Sequence, residues 1–327
     1  MMMRQLLVAA TLLLPMTASA FDLQGHRGAR GLLPENTLPA FARALSLGVT
    51  TLEFDAGVTK DGIVIVAHDR GLNPDIVRGA DGNWLAGHGP NIVDLTFAEL
   101  QRYDVGRMKA GTRYAQGFPD QVPVDGTRMP PVADVFALAA KAGNTAVRFN
   151  IETKLSPTAP AETLEPEPFA RALIAEIRKA GVASRSTIQS FDWRTLQVVQ
   201  KEAPEIATVY LTIARGGGDN VQVGKPGASP WTAGFDVDDH GGSAPATVHA
   251  AGGKIWSPFF QDLDEASFKR AKELGLAVVP WTVNDEPNMR RLVQMGVDGV
   301  ITDYPDRLRK VLADLGMPLP APTPVQP

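Results

Sequence analysis

"TLPAFARALSLGVTTLEFDAGV", residues 37–58, carries a helix signal and a strand signal joined at one glycine. Leu38, Phe41, Ala42 and Leu45 recur at i, i+3, i+4 and i+7, one face of a 3.6-residue period. Asn36 or Thr37 offers the N-cap, and Gly48 supplies a left-handed stop before the strand-like run. So short a helix-to-strand link is the joint of a chain built from alternating β and α units. The same order returns at Gly143, Gly181, Gly275 and Gly296, and further helices open on Asp192, Asp264 and Asp285, the last with Pro287 in its first turn. Candidate strands lie at 22–26, 50–55, 63–68, 147–152, 186–190, 207–212, 254–257, 277–281 and 299–302. Alternation sustained over most of the chain predicts an α/β fold and favours a (β/α)8 barrel over a doubly wound sheet, which shares much of the pattern. Nine candidates for eight staves leave one strand to be explained.

Two stretches interrupt the rhythm. Residues 69–131, rich in Gly, Pro, Asn and Asp, read as an insertion with one short helix near 96–103. Residues 215–231, "RGGGDNVQVGKPGASPW", read as a mobile loop, and the tail from 316 to 327, ending "MPLPAPTPVQP", reads as extended and disordered. The start, "MMMRQLLVAATLLLPMTASA", has one basic residue, a short apolar stretch broken by Pro15, and an Ala18-Ser19-Ala20 ending. That pattern predicts a secretory signal peptide over 1–20, a mature chain from Phe21 and an exported, periplasmic or secreted protein. It is too short and interrupted to span a bilayer.

The 327 residues, 44% of them hydrophobic, suffice for a large core. A formal charge of −4 is too mild to dictate a partner and argues against nucleic-acid binding. With no cysteine, neither a disulfide framework nor thiolate chemistry is available, so any metal must be held by oxygen or imidazole.

Polar residues gather at strand ends. In "TLEFDAGVTKDGIVIVAHD", residues 51–69, Asp61-Gly62 reads as a two-residue hairpin turn. Symmetric pairing about it sets Asp55 opposite His68, with Glu53 on the same face as Asp55. The alternation equally suits the wet face of an edge hairpin. In "VRFNIETKL", residues 147–155, Asn150, Glu152 and Lys154 alternate in the same way and admit the same two readings. His26 and Arg27 follow the first strand between Gly25 and Gly28, where a barrel rim would lie, although a turn with a chance basic pair fits too. Trp281 ends another strand, as core or as pocket wall.

Taken in order, "GHRGARGLLPENTLPAF", "LEFDAGVTKDGIVIVAHD", "NIETK", "IQSF", "PWTVN" and "DGVITDYP" resemble the glycerophosphodiester phosphodiesterases, specifically their exported type. The resemblance covers most of the mature chain. It implies a distorted (β/α)8 TIM barrel over residues 21–315 with an insertion after the third strand, and it turns the surplus strand into a hairpin arm. It makes Glu53, Asp55 and Glu152 ligands of a divalent metal, Ca²⁺ first and Mg²⁺ second, as suits a hard all-oxygen set. His26 and His68 become the acid-base pair, Arg27 and Lys154 phosphate partners, and Gln189, Phe191 and Trp281 pocket walls.

The implied reaction is hydrolysis of a small-molecule glycerophosphodiester to glycerol 3-phosphate and an alcohol. Either a glycerol hydroxyl attacks phosphorus and leaves a cyclic phosphate for water to open, or water attacks directly. A phospholipase D-like lipid hydrolase is the alternative, but no sustained apolar run beyond Trp84 and Leu85 marks the insertion for membrane docking. A binding protein without turnover is more distant, because both histidines are present. His88, His240 and His249 lack carboxylate neighbours at ligand spacing and read as surface or structural. Headgroup preference, oligomeric state and the purpose of the insertion stay open at this level.

Overall fold

The computed structural model describes residues 21–327, so the expected leader, 1–20, lies outside the described residues. The strands are β1 (Asp22–Gly25), β2 (Thr51–Val58), β3 (Val64–Val66), β4 (Arg148–Thr153), β5 (Ser186–Ser190), β6 (Ala207–Thr212), β7 (Ile255–Pro258), β8 (Ala277–Val278) and β9 (Gly299–Thr302). Eight of them are parallel, in the order β8-β7-β6-β5-β4-β2-β1-β9. At the remaining seam Asp298 N donates to Val278 O at 2.9 Å, and Ile301 N to Pro280 O and Val283 N to Ile301 O at 3.0 Å each. The result is a nearly closed barrel. β3 lies off the ring, antiparallel on β2, which accounts for the surplus strand.

The helices are α1 (Leu38–Leu47), α2 (Phe97–Leu100), α3 (Arg113–Gln116), α4 (Val132–Lys141), α5 (Pro166–Lys179), α6 (Trp193–Glu202), α7 (Ala244–Ala250), α8 (Glu265–Glu273), α9 (Glu286–Met295) and α10 (Pro305–Asp314). Thr37, Asp192, Asp264 and Asp285 cap α1, α6, α8 and α9 through their side chains, as their positions ahead of each periodic run predict. Gly48, at φ 84°, closes α1 by donating to Ala44 O and Leu45 O, a geometry that a side chain would strain. Period-two alternation on β2 sends Phe54 outward while Glu53 and Asp55 point into the barrel. Phe54 then joins Phe41, Phe136 and Phe149 in an edge-to-face chain with centroids 5.5, 6.4 and 4.8 Å apart. Each such ring contributes about 1.5–3 kcal/mol by leaving water. That outer layer holds the staves while their inward faces stay free for polar groups.

Two expectations need correction. The hairpin turn holds three residues, not two. Thr59 N donates to Ile63 O at 3.0 Å, Gly62 N to Thr59 O at 2.9 Å, and Gly62 sits at φ 82°. The register therefore pairs Ala56 with Val66 and brings Ala67, rather than His68, opposite Asp55. A one-residue slip flips side chains across a sheet, but β3 ends at Val66 and His68 lies beyond the pleat. The tail is extended as expected, yet it is anchored rather than free. Thr323 N donates to Leu45 O at 2.9 Å, Asn144 Nδ2 to Thr323 Oγ1 at 3.0 Å, Arg309 Nη1 to Pro320 O at 2.9 Å, and Met317 and Val325 pack on the core. Prolines remove donors, so the tail is held by what remains, the Pro320 carbonyl and the backbone N and hydroxyl of Thr323.

The insertion follows β3 and builds a core of its own from Leu72, Val77, Ile92, Leu100, Val105 and Met129 against Ile65 and Ala67. Its expected helix is the shorter α2, opened by a Thr96–Glu99 capping box. Residues 215–231 hold a single 3₁₀ turn, Gly216–Gly218.

Candidate active site

Three buried carboxylates meet inside the barrel mouth. Glu53 and Asp55 share a face of β2, and parallel pairing sets Glu152 of β4 level with Asp55. One oxygen from each lies within 4.8 Å of the others. Glu53 accepts from Arg27 N at 2.9 Å and from Gln189 Nε2 at 2.6 Å. Asp55 Oδ2 accepts from Asn36 Nδ2 at 2.9 Å, whereas its Oδ1 is buried with no hydrogen-bond partner. Burial and the neighbouring Asp55 push the Glu53 carboxyl well above its usual range. Burial, partly offset by Lys154, raises Glu152 as well. Burial would also raise Asp55, but Arg27, His68 and Lys154 together hold it low. Adjacent carboxylates in a water-poor site are costly to ionise together, and a divalent cation removes that cost. The orphaned Asp55 oxygen and the all-oxygen donor set fit a hard cation of the Ca²⁺ or Mg²⁺ kind.

His26 and His68 line one cavity with these groups. His26 follows β1, and its Nδ1 lies 2.6 Å from Asp303 Oδ1, just past β9. That contact places the Nδ1 proton toward the carboxylate and leaves Nε2, 3.9 Å from Glu53 Oε2, facing the cavity. Burial, with Arg30 and Arg27 nearby, outweighs Asp303 and lowers His26 to about 4. His68 Nδ1 lies 2.9 Å from Asp69 Oδ1 while the ring keeps 31% side-chain exposure toward the mouth. Burial, Arg27 and Lys154 hold it well below the ordinary histidine range. In both rings the surroundings disfavour the protonated form.

Cations occupy the same mouth. Lys154 Nζ donates to Glu152 Oε1 at 2.6 Å and sits 3.7 Å from Asp55 Oδ1. Arg27, at φ 50°, donates from Nη1 to Glu35 Oε1 at 2.6 Å and places Nε 3.3 Å from Asp55 Oδ2. Phe191 and Trp281 form one wall, edge to face at 5.2 Å, with Trp281 Nε1 donating to Ser257 O at 2.9 Å. Gln189 also borders the cavity, but its amide is committed to Glu53 and to Asn150 Nδ2, so it braces a carboxylate. All ten residues expected at the site are brought together.

Sequence reasoning did not single out Glu35, Arg30, Asp303 or Tyr114, and it read Asn36 only as a cap. Glu35, Arg30 and Asp303 lie within motifs that look like ordinary turn sequence, and Tyr114 sits in the insertion without local pattern. Arg30 binds Asp303 through Nε at 2.7 Å and Nη2 at 3.0 Å, and Asn284 Nδ2 donates to the same carboxylate at 2.7 Å. His88 and His249 are exposed and His240 is half-buried, all away from this cavity.

The glycerophosphoryl diester phosphodiesterase family profile matches residues 26–307. A glycerophosphodiester phosphodiesterase of Caldanaerobacter subterraneus is 29% identical over 283 residues, 86% of this chain and 94% of that protein. One from Bacillus subtilis is 28% identical over 295 residues, 88% of this chain and 84% of its own length. Among solved structures, a Silicibacter pomeroyi protein assigned to the glycerophosphoryl diester phosphodiesterases superposes with a TM-score of 0.80 at 34% identity, covering 92% of this chain and 96% of that one. An Oleispira antarctica phosphodiesterase in complex with its product sn-glycerol-3-phosphate shares the fold at a TM-score of 0.62 and 20% identity, over 89% of this chain and 96% of that one. A TIM barrel whose mouth gathers three carboxylates, two histidines and two cations, matched over nearly its whole length, belongs to the glycerophosphoryl diester phosphodiesterase family.

Proposed function

We propose that this chain cleaves small glycerophosphodiesters to glycerol 3-phosphate and an alcohol, with His26 and His68 as the acid-base pair. The observation that carries this reading is the convergence of both imidazoles, Arg27, Lys154, Glu53 and Glu152 on one cavity, with Asp55 beside them. A metal ion held by Glu53, Asp55 and Glu152 would supply positive charge to the phosphoryl oxygens as the nucleophile arrives. We take Ca²⁺ as its first candidate and Mg²⁺ as its second.

In the forward step one imidazole accepts the proton of the attacking hydroxyl as the new P–O bond forms. The other donates a proton to the departing alkoxide as the old P–O bond breaks. If the attacker is a glycerol hydroxyl, water then opens the cyclic phosphate with the two histidines exchanging roles; if it is water, one pass suffices. The low proton affinity of His68 arises from burial and then from Arg27 and Lys154, so an anionic diester beside those cations raises it toward the range an acid needs. Phe191 and Trp281 offer apolar faces to the glycerol carbons. The Oleispira relative's bound sn-glycerol-3-phosphate is consistent with the product named here.

Small polar substrates fit better than lipids. Among the described residues no helix is long and apolar enough to cross a membrane, and the large exposed hydrophobics, Ile63, Val122, Val223 and Leu319, do not form one run. We further infer export, on the tripartite pattern of residues 1–20. The deciding assay is release of glycerol 3-phosphate from glycerophosphocholine with and without chelator. No release under any metal condition would remove the reading.

A further inference from the structure

We propose that the insertion completes the phosphate clamp through Tyr114, acting as a positioning residue for Arg27. This rests on the phosphodiester reading of the site.

Tyr114 stands on the short helix α3 of the insertion, far in sequence from the barrel motifs, yet its hydroxyl donates to Glu35 Oε2. The other oxygen, Oε1, takes Arg27 Nη1 at 2.6 Å. Glu35 is thus a two-sided bracket between an insertion phenol and the guanidinium, with its side chain only 5% exposed. Burial beside this carboxylate pushes the Tyr114 phenol up, so it stays a donor. The same hydroxyl lies 3.5 Å from Arg27 Nη1 and 3.4 Å from Arg30 Nη1.

Independent contacts fix the segment that carries it. Phe118 stacks under the Arg30 guanidinium at 4.5 Å, Gln121 Nε2 donates to Arg30 O at 2.7 Å, Val122 N donates to Leu32 O at 2.9 Å, and Arg307 Nη2 pairs with Asp120 at 2.8 Å. The stretch 114–122 is therefore seated on the loop that bears His26 and Arg27.

The chemical consequence follows from the bracket. With both oxygens engaged, Glu35 holds Arg27 by one nitrogen, and no other protein acceptor among the described residues takes Nη2, which is left for a phosphoryl oxygen. Without the Tyr114 donor, Oε2 loses its partner and turns to Arg27, because a buried carboxylate oxygen seeks a hydrogen bond. A fork-to-fork pair then withdraws Nη2 from the substrate. Tyr114 thereby tunes phosphate binding without touching the reacting atoms.

The test compares Tyr114→Phe, Glu35→Gln and the double variant. Steady-state kinetics on glycerophosphocholine are read beside calorimetric titration of glycerol 3-phosphate into metal-loaded and chelated protein. Tyr114→Phe is expected to raise KM and the glycerol 3-phosphate dissociation constant together by roughly 5–30-fold, with kcat within about twofold. Glu35→Gln keeps one oxygen for Arg27 but breaks the bracket, so the double variant should be little worse than the worse single one. If Glu35→Gln is poorly folded, the titration of Tyr114→Phe alone decides. Unchanged KM and affinity in Tyr114→Phe, a kcat loss at constant KM, or additive single effects would each overturn the inference. A wild-type protein that releases no glycerol 3-phosphate would instead overturn the function it rests on.

Discussion

His26 and Asp303 meet at 2.6 Å although 277 residues separate them, because β1 and β9 lie side by side in the barrel and both residues leave the carboxyl ends of those strands. The contact ties the first catalytic candidate to the last stave. It also fixes which ring nitrogen faces the cavity, since Asp303 is fully buried and its oxygens are shared among His26, Arg30 and Asn284.

Asp303→Asn removes the charge that orients His26 and leaves Arg30 without its buried partner. Turnover is expected to fall by about two orders of magnitude or more. Stability should fall by about 3 kcal/mol, as for other broken buried pairs. The loss should be read by kcat at saturating substrate and by denaturant unfolding at the same pH. Near-normal turnover would show that His26 needs no orienting carboxylate.

Alanine at His26 or at His68 should each lower turnover by about two orders of magnitude or more, and the wild-type profile of turnover against pH should be bell-shaped. Burial lowers His26 to about 4 in the fold against an ordinary 6.5, so its contribution to stability is present above 6.5 and is lost as pH falls toward 4. His26→Ala should therefore flatten the stability profile across that window. A His68→Ala enzyme with wild-type turnover would leave the second imidazole without a chemical role.

The carboxylate cluster makes a prediction of opposite sign. Glu152 is raised to about 7 from 4.5, so its contribution to stability is present below 4.5 and is lost as pH rises through 7. In chelated protein Glu152→Gln should melt a few degrees above wild type at pH 8 and level with it at pH 4, with metal affinity weakened. Added Ca²⁺ should stabilise wild type more than the variant. Chelation should abolish wild-type turnover; full activity after exhaustive EDTA treatment would remove the metal.

Selectivity should follow the Phe191–Trp281 wall. Trp281→Ala is expected to raise KM for glycerophosphocholine by about three- to tenfold through lost contact with the glycerol carbons. Glycerophosphocholine should be cleaved much faster than lysophosphatidylcholine or sphingomyelin under matched metal conditions. A lipid preference would promote the phospholipase D-like alternative.

The staves were legible because helix caps such as Thr37 and Asp285 and stops such as Gly48 act locally, within one turn of the chain. Period-two alternation put Glu53 and Asp55 on one strand face, but it equally suited a wet face, and only the family resemblance singled them out with Glu152 as ligands. The hairpin register was not legible, because Gly62 in a left-handed conformation serves a three-residue loop as readily as a two-residue one. Nor were Asp303, Arg30 and Tyr114, whose roles exist only once distant segments touch. The anchored tail escaped for a related reason: proline-rich composition reports on local order, and says nothing of the hydrogen bonds that Thr323, Pro320 and Gln326 make with α1, α10 and α4.

That tail runs along the end of the barrel where helices hand over to strands, beside Gly48 and Asn144, and β1 also begins at that end. The chemistry opens at the other. A fluorophore, affinity handle or partner domain attached in place of residues 1–20 or after residue 327 would hang from the floor of the barrel, so that substrate reaches the mouth unhindered and either attachment tethers the enzyme with its site facing outward.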